Sequence, residues 1–399
     1  MRRKLLFAIL LVLIISQVPF VYRRYRLRRL RTLIEQLATQ RTSPAEESQY
    51  FDFKGVIHVH SLLGGHSTGT FAEIVNAARV NQLNFVIMTE HPQASFDTSA
   101  MTLNGVHDGV LFVNGNEVAT ASGDRLLLIP GSDKAAISGG RSTDEIVAEQ
   151  KSSGGLSFVA YPSESQNWES TAANGVEVYN LFTNARQINS IVMFFDGLWS
   201  YRSYADLMFA NFFARPDQSL RLWDHAMTNP PRKLVAIAGN DAHANVGLSL
   251  NDASGKQLIG IKLDPYERSF RAVRTHVLIP RGTELNRASL LQALSQGHGY
   301  VSFDLFADAS GFDYSISNSD AIMGDEIALD RQPEFVVNTP LASRIVIIKN
   351  GNVFGQQWGT AAHFSADGAG SYRVEAYLDT LPAPAKGRPW IISNPIYVK

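Results

Sequence analysis

VIHVHS (56–61) and AIAGNDAH (236–243) decide how this chain is read. Each is an apolar run that ends on polar side chains, His58 and His60 in the first and Asp241 and His243 in the second. Side chains alternate along a strand, so residues two apart share a face. Each run therefore predicts a buried strand whose end presents a pair of ligand-type side chains. Imidazole and carboxylate at that spacing suit one divalent cation. His66, Glu90, His91 and Glu117 lie between the two pairs, close to the ends of further apolar runs.

Working outward, the body from about 50 to 304 alternates strand and helix patterns. Strand-like runs are FVIMTE (85–90), VLFVNGNEV (110–118), RLLLIP (125–130), LSFVAYP (156–162), GVEVYN (175–180) and LVAIAG (234–239). Helical spacing is present in TFAEIVNAARVNQL (70–83), and STDEIVAEQKSSG (142–154) opens with Ser142 and Glu145, a capping signature. Strand–helix repetition predicts a parallel sheet, and seven or eight repeats predict a barrel with its chemistry at the C-terminal strand ends. His58, His60, Glu90, His91, Glu117, Tyr161, Glu177, Asp241 and His243 all fall at or just past such ends. A lone histidine is more often structural than a ligand. Five of ten histidines on one predicted face, together with Glu117 and Asp241, predict a metal site. His107, His225, His276, His298 and His363 fall elsewhere and are read as structural.

Composition narrows the chemistry. At 399 residues the chain is long enough for about two domains. Cysteine is absent, so disulfides and thiolate sites are excluded and any metal takes N and O ligands. The net charge of −1 conceals a split: residues 1–48 hold ten Lys/Arg and three Glu, which leaves a body with a net charge of −8. An acidic body speaks against wrapping nucleic acid, because phosphate backbones demand a basic surface.

Leu5 to Tyr22 is an 18-residue apolar run without a charge, near the lower limit for spanning a bilayer. A cleaved signal peptide is the rival, but SQVPFVYRRYR lacks a small-residue cleavage site. The expectation is a single-pass membrane anchor over 1–22, with the side on which the body lies left open. Residues 23–39 read as a basic helix on anionic headgroups, and 40–49 as a polar linker, so that 23–49 connects anchor and body.

The ordered motifs resemble the PHP (polymerase and histidinol phosphatase) domain over roughly 54–304. HVHS resembles its opening H-x-H-[ST], His66 its next ligand, VIMTEH its ITDH, NGNEV its G-x-E and GNDAH its closing G-[ST]-D-[AP]-H. The resemblance implies a distorted (β/α)7 barrel, two or three divalent ions (Zn, Mn or Fe) and hydrolysis of phosphate esters. It implies that His58, His60, Glu117 and Asp241 hold one metal and that His66, His91 and His243 hold another. The chain departs from the pattern where Tyr161 replaces a histidine before Pro162, where Asp124 replaces a histidine, and where Glu90 replaces an aspartate. Glu177 is a further metal-ligand candidate. Asp241 is the candidate proton shuttle, and Arg186 the candidate phosphate clamp.

Residues 305–399 carry alternating apolar runs broken by turns such as Asn350-Gly351, which predicts a small β-sandwich. The expected activity is metal-dependent hydrolysis of a small phosphorylated substrate, with no nucleic-acid partner and the oligomeric state undetermined. Two alternatives stand beside it. One is a metal-keeping barrel that serves as a scaffold, and the other is hydrolysis of a non-phosphate bond.

Overall fold

The structure, a computed structural model, describes residues 2–42, 48–166, 168–186, 189–245, 247–251 and 257–399. Half of the expected 40–49 linker, residues 43–47, lies outside them. The fold is mixed α/β: a large sheet flanked by helices, preceded by one long apolar helix.

The first nine strands are β1 (Tyr50–Val59), β2 (Phe85–Met88), β3 (Gly105–His107), β4 (Val110–Val113), β5 (Asn116–Ala119), β6 (Arg125–Ile129), β7 (Leu156–Ala160), β8 (Gly175–Asn180) and β9 (Val235–Ala242). Parallel pairing joins β4, β2, β1, β9, β8 and β7 in that order. Antiparallel pairing joins β7 to β6 and β6 to β5. A parallel bridge between Glu90 and Asn116 then connects the end of β2 to the start of β5, so the ladder returns to β1. The parallel sheet expected from strand–helix repetition is thus present over six strands and gives way to antiparallel pairing at β5, β6 and β7. NGNEV and RLLLIP are joined by a short turn, too short for a crossover helix, so β5 and β6 must run antiparallel.

Local chemistry fixes the helices on this sheet. Thr70 with Glu73, and Ser142 with Glu145, each form a reciprocal capping box that starts the helices Phe71–Val80 and Thr143–Ser152. Ile74, Ala77 and Ala78 turn one face of the first helix into the core beside β1 and β2.

A separate hairpin holds β10 (Gly247–Asn251) and β11 (Gln257–Lys262). The remaining strands are β12 (Arg274–Pro280), β13 (Gly299–Ser302), β14 (Asp313–Ile316), β15 (Glu326–Ile327), β16 (Glu334–Lys349), β17 (Asn352–Ser365), β18 (Gly370–Tyr377), β19 (Pro389–Ser393) and β20 (Ile396–Val398). β12 pairs with β1, β13 with β12, and β19 with β13. The hydrogen-bonded sheet therefore runs across residue 304, where the sequence reading placed a domain boundary. Asn350 and Gly351, both at positive φ, turn β16 back into β17.

The N-terminal helix runs unbroken from Arg2 to Ala38, through Pro19. Its first part is long and apolar enough to cross a membrane, and none of that window is buried against the body. The second part corrects the expectation of a basic helix lying on headgroups. Leu27 and Leu30 are buried in the main core, and Leu33, Ile34 and Leu37 pack against it. That spacing is one face of a helix. Arg23 reaches Asp196 at 2.8 Å, and Arg31 stacks on the Tyr204 ring. The basic residues are thus partly spent on the protein itself.

Candidate metal centre

Both strand-end pairs sit in backbone irregularities. His58 has φ 68° and Asp241 has φ 48°, left-handed values that L residues adopt with strain. The register of β1 against β2 and β9 shifts between Ile57 and Val59. The two rings of β1 therefore share a site through a bulge at His58, not through the regular alternation expected. The same bulging of β9 brings Asp241 in from the opposite side.

The side chains converge at one point. His58 Nε2 and His60 Nε2 lie 3.2 and 3.4 Å from Glu117 Oε2, and each lies 3.6 Å from Asp241 Oδ1. His91 Nε2 stands 3.5 Å from the same Glu117 oxygen. Nitrogen and oxygen ligands about 2.1 Å from a common ion stand about 3.0–3.4 Å apart at right-angle or tetrahedral separations. The observed spacings, 3.2–3.6 Å, lie in the upper part of that range or up to 0.2 Å beyond it. His60 Nε2 and Asp241 Oδ1 are fully buried and have no hydrogen-bond partner among the described residues. Buried polar atoms are normally paired, so these orphans fit a cation between them. A second group of close ligand atoms comprises His60, His91 and His243. The His60 ring stacks between those of His91 and His243, with centroids at 4.6 and 4.4 Å.

Electrostatics set the protonation states. Burial makes charge costly for His60 and His91, and neighbouring imidazoles add to this. Both are lowered to about 4, despite the Glu117 carboxylate near each. Near neutral pH they are free bases, as metal ligands must be. Burial opposes charge on His58 too, but Glu177, Asp241 and Glu117 surround it and hold it well above the ordinary histidine range. Burial pushes Glu117 and Asp241 up. For Glu117, His58 and His60 outweigh it; for Asp241, His58, His60 and His243 do so, and both stay ionised.

The remaining sequence candidates are placed as follows. Glu177 Oε1 meets His58 Nδ1 at 2.6 Å and its Oε2 accepts from Asn180 Nδ2 at 3.0 Å. It lies behind His58, whose Nε2 is thereby aimed at Glu117. His66 stands edge-on to His91 with centroids 4.8 Å apart, on the wall of the same cavity. Glu90 does not reach the cluster. It braces a strand end, accepting from Ser61 N and Oγ at 3.1 and 2.6 Å and from Thr102 Oγ1 at 2.9 Å. Asp124 likewise accepts from Thr143 Oγ1 at 2.6 Å and Gln166 N at 3.0 Å. Tyr161, at φ 50°, donates to Asp241 Oδ2 at 2.6 Å. Burial and the nearby Asp241 and Glu117 carboxylates push its phenol far up, so it is a neutral donor. Arg186 ends the helix Leu181–Arg186, and its side chain lies outside the described residues.

Arg125 was missed by sequence reasoning. It lines the cavity, half exposed, with Nη1 3.5 Å from Glu117 Oε1. It opens the apolar run RLLLIP (125–130), and the structure sets it opposite Ala119 at the turn end of the β5–β6 pair. The cavity above the cluster measures about 620 Å³, and its walls include Gln93, Glu164, Phe182 and Asn245.

No family model matches the sequence, and no curated protein matches it. Solved structures give low-identity likenesses. One is a two-domain protein from Bacteroides vulgatus described as containing a predicted PHP-like metal-dependent phosphoesterase. It is 15% identical over 88% of this chain and 98% of that one, with a TM-score of 0.39. Another is PsfC from Pseudomonas syringae, 13% identical over 63% of this chain and 91% of that one, with a TM-score of 0.38. A third is the lesion-specific endonuclease Q from Pyrococcus furiosus, 14% identical over 61% of this chain and 56% of that one, with a TM-score of 0.34. At such scores the likenesses carry no inference about this chain's chemistry.

Proposed function

We propose that the chain is a PHP-type metal-dependent phosphoesterase, built on a distorted (β/α)7 barrel with a C-terminal β-sandwich and held to a membrane by its N-terminal helix. One observation carries the reading. Ligand atoms of His58, His60, Glu117 and Asp241 converge in a buried site, and the orphaned atoms there belong to a nitrogen base and a carboxylate. His58, His60, Glu117 and Asp241 would hold one divalent ion (Zn, Mn or Fe). His91 and His243, with His60 or His66, would hold a second. A bound divalent ion lowers the pKa of its water toward ~7 and so supplies hydroxide near neutral pH.

The chain's own residues do the rest. Glu177 fixes the tautomer and direction of His58. Tyr161 takes one Asp241 oxygen, leaving the other for the metal and restricting Asp241 as a proton shuttle. A neutral phenol is a poor ligand, which favours two ions over three. Arg125, at the cavity wall, is placed to meet a phosphoryl oxygen. The acidic body favours a small phosphorylated substrate over a nucleic-acid backbone.

The test uses the full-length chain in detergent. Metal analysis should find about two ions per chain. Hydrolysis of p-nitrophenyl phosphate should require Mn or Zn and disappear in His58→Ala. Bound metal without turnover on phosphate monoesters, diesters, lactams or an abasic DNA duplex would refute an enzymatic role. Turnover confined to the lactams or to the duplex would replace the substrate class.

A further inference from the structure

A second cavity, of about 250 Å³, adjoins the metal centre and shares Asp241 and His243 with it. Its walls are otherwise mainly apolar, from Leu181, Phe182, Met193, Met208 and Phe209. The helix Ser190–Met208 forms one side. Met193, Gly197, Tyr201, Ala205 and Met208 recur along its inner face.

The outer face of that helix is apolar as well. Ile191, Phe194 and Leu198 are 69%, 56% and 67% exposed. A helix apolar on both faces is expected to be covered on both, and no described residue covers the outer one. What lies beside it is the membrane-length helix. Phe195 meets the Phe20 ring at 5.1 Å, Trp199 Nε1 donates to Gln17 Oε1 at 3.1 Å, and Asp196 pairs with Arg23. Gln17 to Arg23 is where the apolar run gives way to arginines, the level of a bilayer interface, and an exposed Trp suits that level. One helix thus offers its outer face to the bilayer and its inner face to a cavity that ends on the metal ligands.

We propose that the substrate is a membrane lipid phosphate ester whose hydrocarbon tail occupies this cavity while its phosphate lies over the metal centre. The assignment rests on the phosphoesterase reading and names the substrate class for that site. The cavity limits the length that can be read: at about 30 Å³ for a water-sized group it takes about eight methylene-sized groups. Gly197 offers a direct probe. A Cβ there meets nothing within 4 Å, so Gly197→Leu fills the cavity without a backbone clash and with better helix propensity.

The experiment measures binding, independently of turnover. Full-length, metal-loaded chain in phosphatidylcholine nanodiscs is titrated calorimetrically with n-alkyl phosphonates from methyl to octyl, and Gly197→Leu in identical discs corrects for partition into lipid. The expected result is a Kd that falls about fourfold per methylene in the native chain and stays flat in the variant. Equal Kd for methyl and octyl phosphonate, or a slope that Gly197→Leu retains, overturns the assignment. Hydrolysis of p-nitrophenyl phosphate by the same preparation separates the two readings. Turnover with a flat series removes the lipid assignment alone, and a steep series without turnover keeps the cavity's occupant while removing the hydrolase.

Discussion

Replacing Glu177 with glutamine tests whether the carboxylate behind His58 supports the metal site from outside. Glu177 Oε1 lies 2.6 Å from His58 Nδ1, and both residues are fully buried. Glutamine keeps the length, one acceptor oxygen for the ring and the contact with it, removes the charge and turns the oxygen that accepts from Asn180 Nδ2 into an amide donor. Burial pushes the Glu177 carboxyl upward, and the His58 contact draws it back in part. Hydrogen bonds to a charged partner contribute about 1.5–3 kcal/mol and are roughly twice as strong as neutral ones. Loss of the charge should therefore cost about 1–2 kcal/mol, or roughly five- to thirtyfold in metal affinity. That overlaps the lower part of the usual range for outer-shell partners, about 10–100-fold. Competition of the protein against a chromophoric chelator at neutral pH reads the affinity. An unchanged Kd would show that His58 is oriented without Glu177. A loss as large as that of His58→Ala would mean that Glu177 binds the metal itself.

Three further outcomes follow from the structure. A Cβ built on Gly239 would fall on the Glu177 carboxylate, so Gly239→Ala should weaken metal binding at least as much as Glu177→Gln, in the same chelator competition. His276 is fully buried, and although burial disfavours its charge, Asp52 at 2.8 Å and Asp304 at 3.5 Å raise it to about 9. Its folded value exceeds the unfolded one near 6.5, so its contribution of about 3 kcal/mol is complete below pH 6.5 and lost as pH rises through 9. Urea unfolding across that window should show this decline in the native chain and not in His276→Gln. Arg373, buried against Trp223, makes a bidentate pair with Asp224 at 2.9 Å that ties the helix Asp217–Thr228 to β18. Asp224→Ala should cost about 3 kcal/mol in urea unfolding, and a loss under 1 kcal/mol would mean that Glu375 alone satisfies the guanidinium.

The sequence by itself determined which ligand-type side chains meet and the apolar strands that carry them. Residue type and order were enough for His58, His60, His91, Glu117, Asp241 and His243, because a metal selects donors by chemistry and strand ends are legible as apolar runs that stop. It also showed the membrane-length helix and both capping boxes, which are local properties of composition and short spacing. Which face each ligand occupies was decided only in the tertiary structure. His58 and Asp241 owe their positions to bulges at positive φ, and a bulge is stabilised by the neighbouring strands β2 and β9, not by its own residues. The same holds for Glu177, Arg125 and Tyr161. A carboxylate near a strand end reads as a ligand in sequence, whereas here its partner sits 119 residues away and takes it first. The basic half of the N-terminal helix was misread for a like reason. Its arginines suggested lipid, but Leu27 and Leu30 have a core to enter, and that core is assembled from strands and helices that begin with Val118, far along the chain.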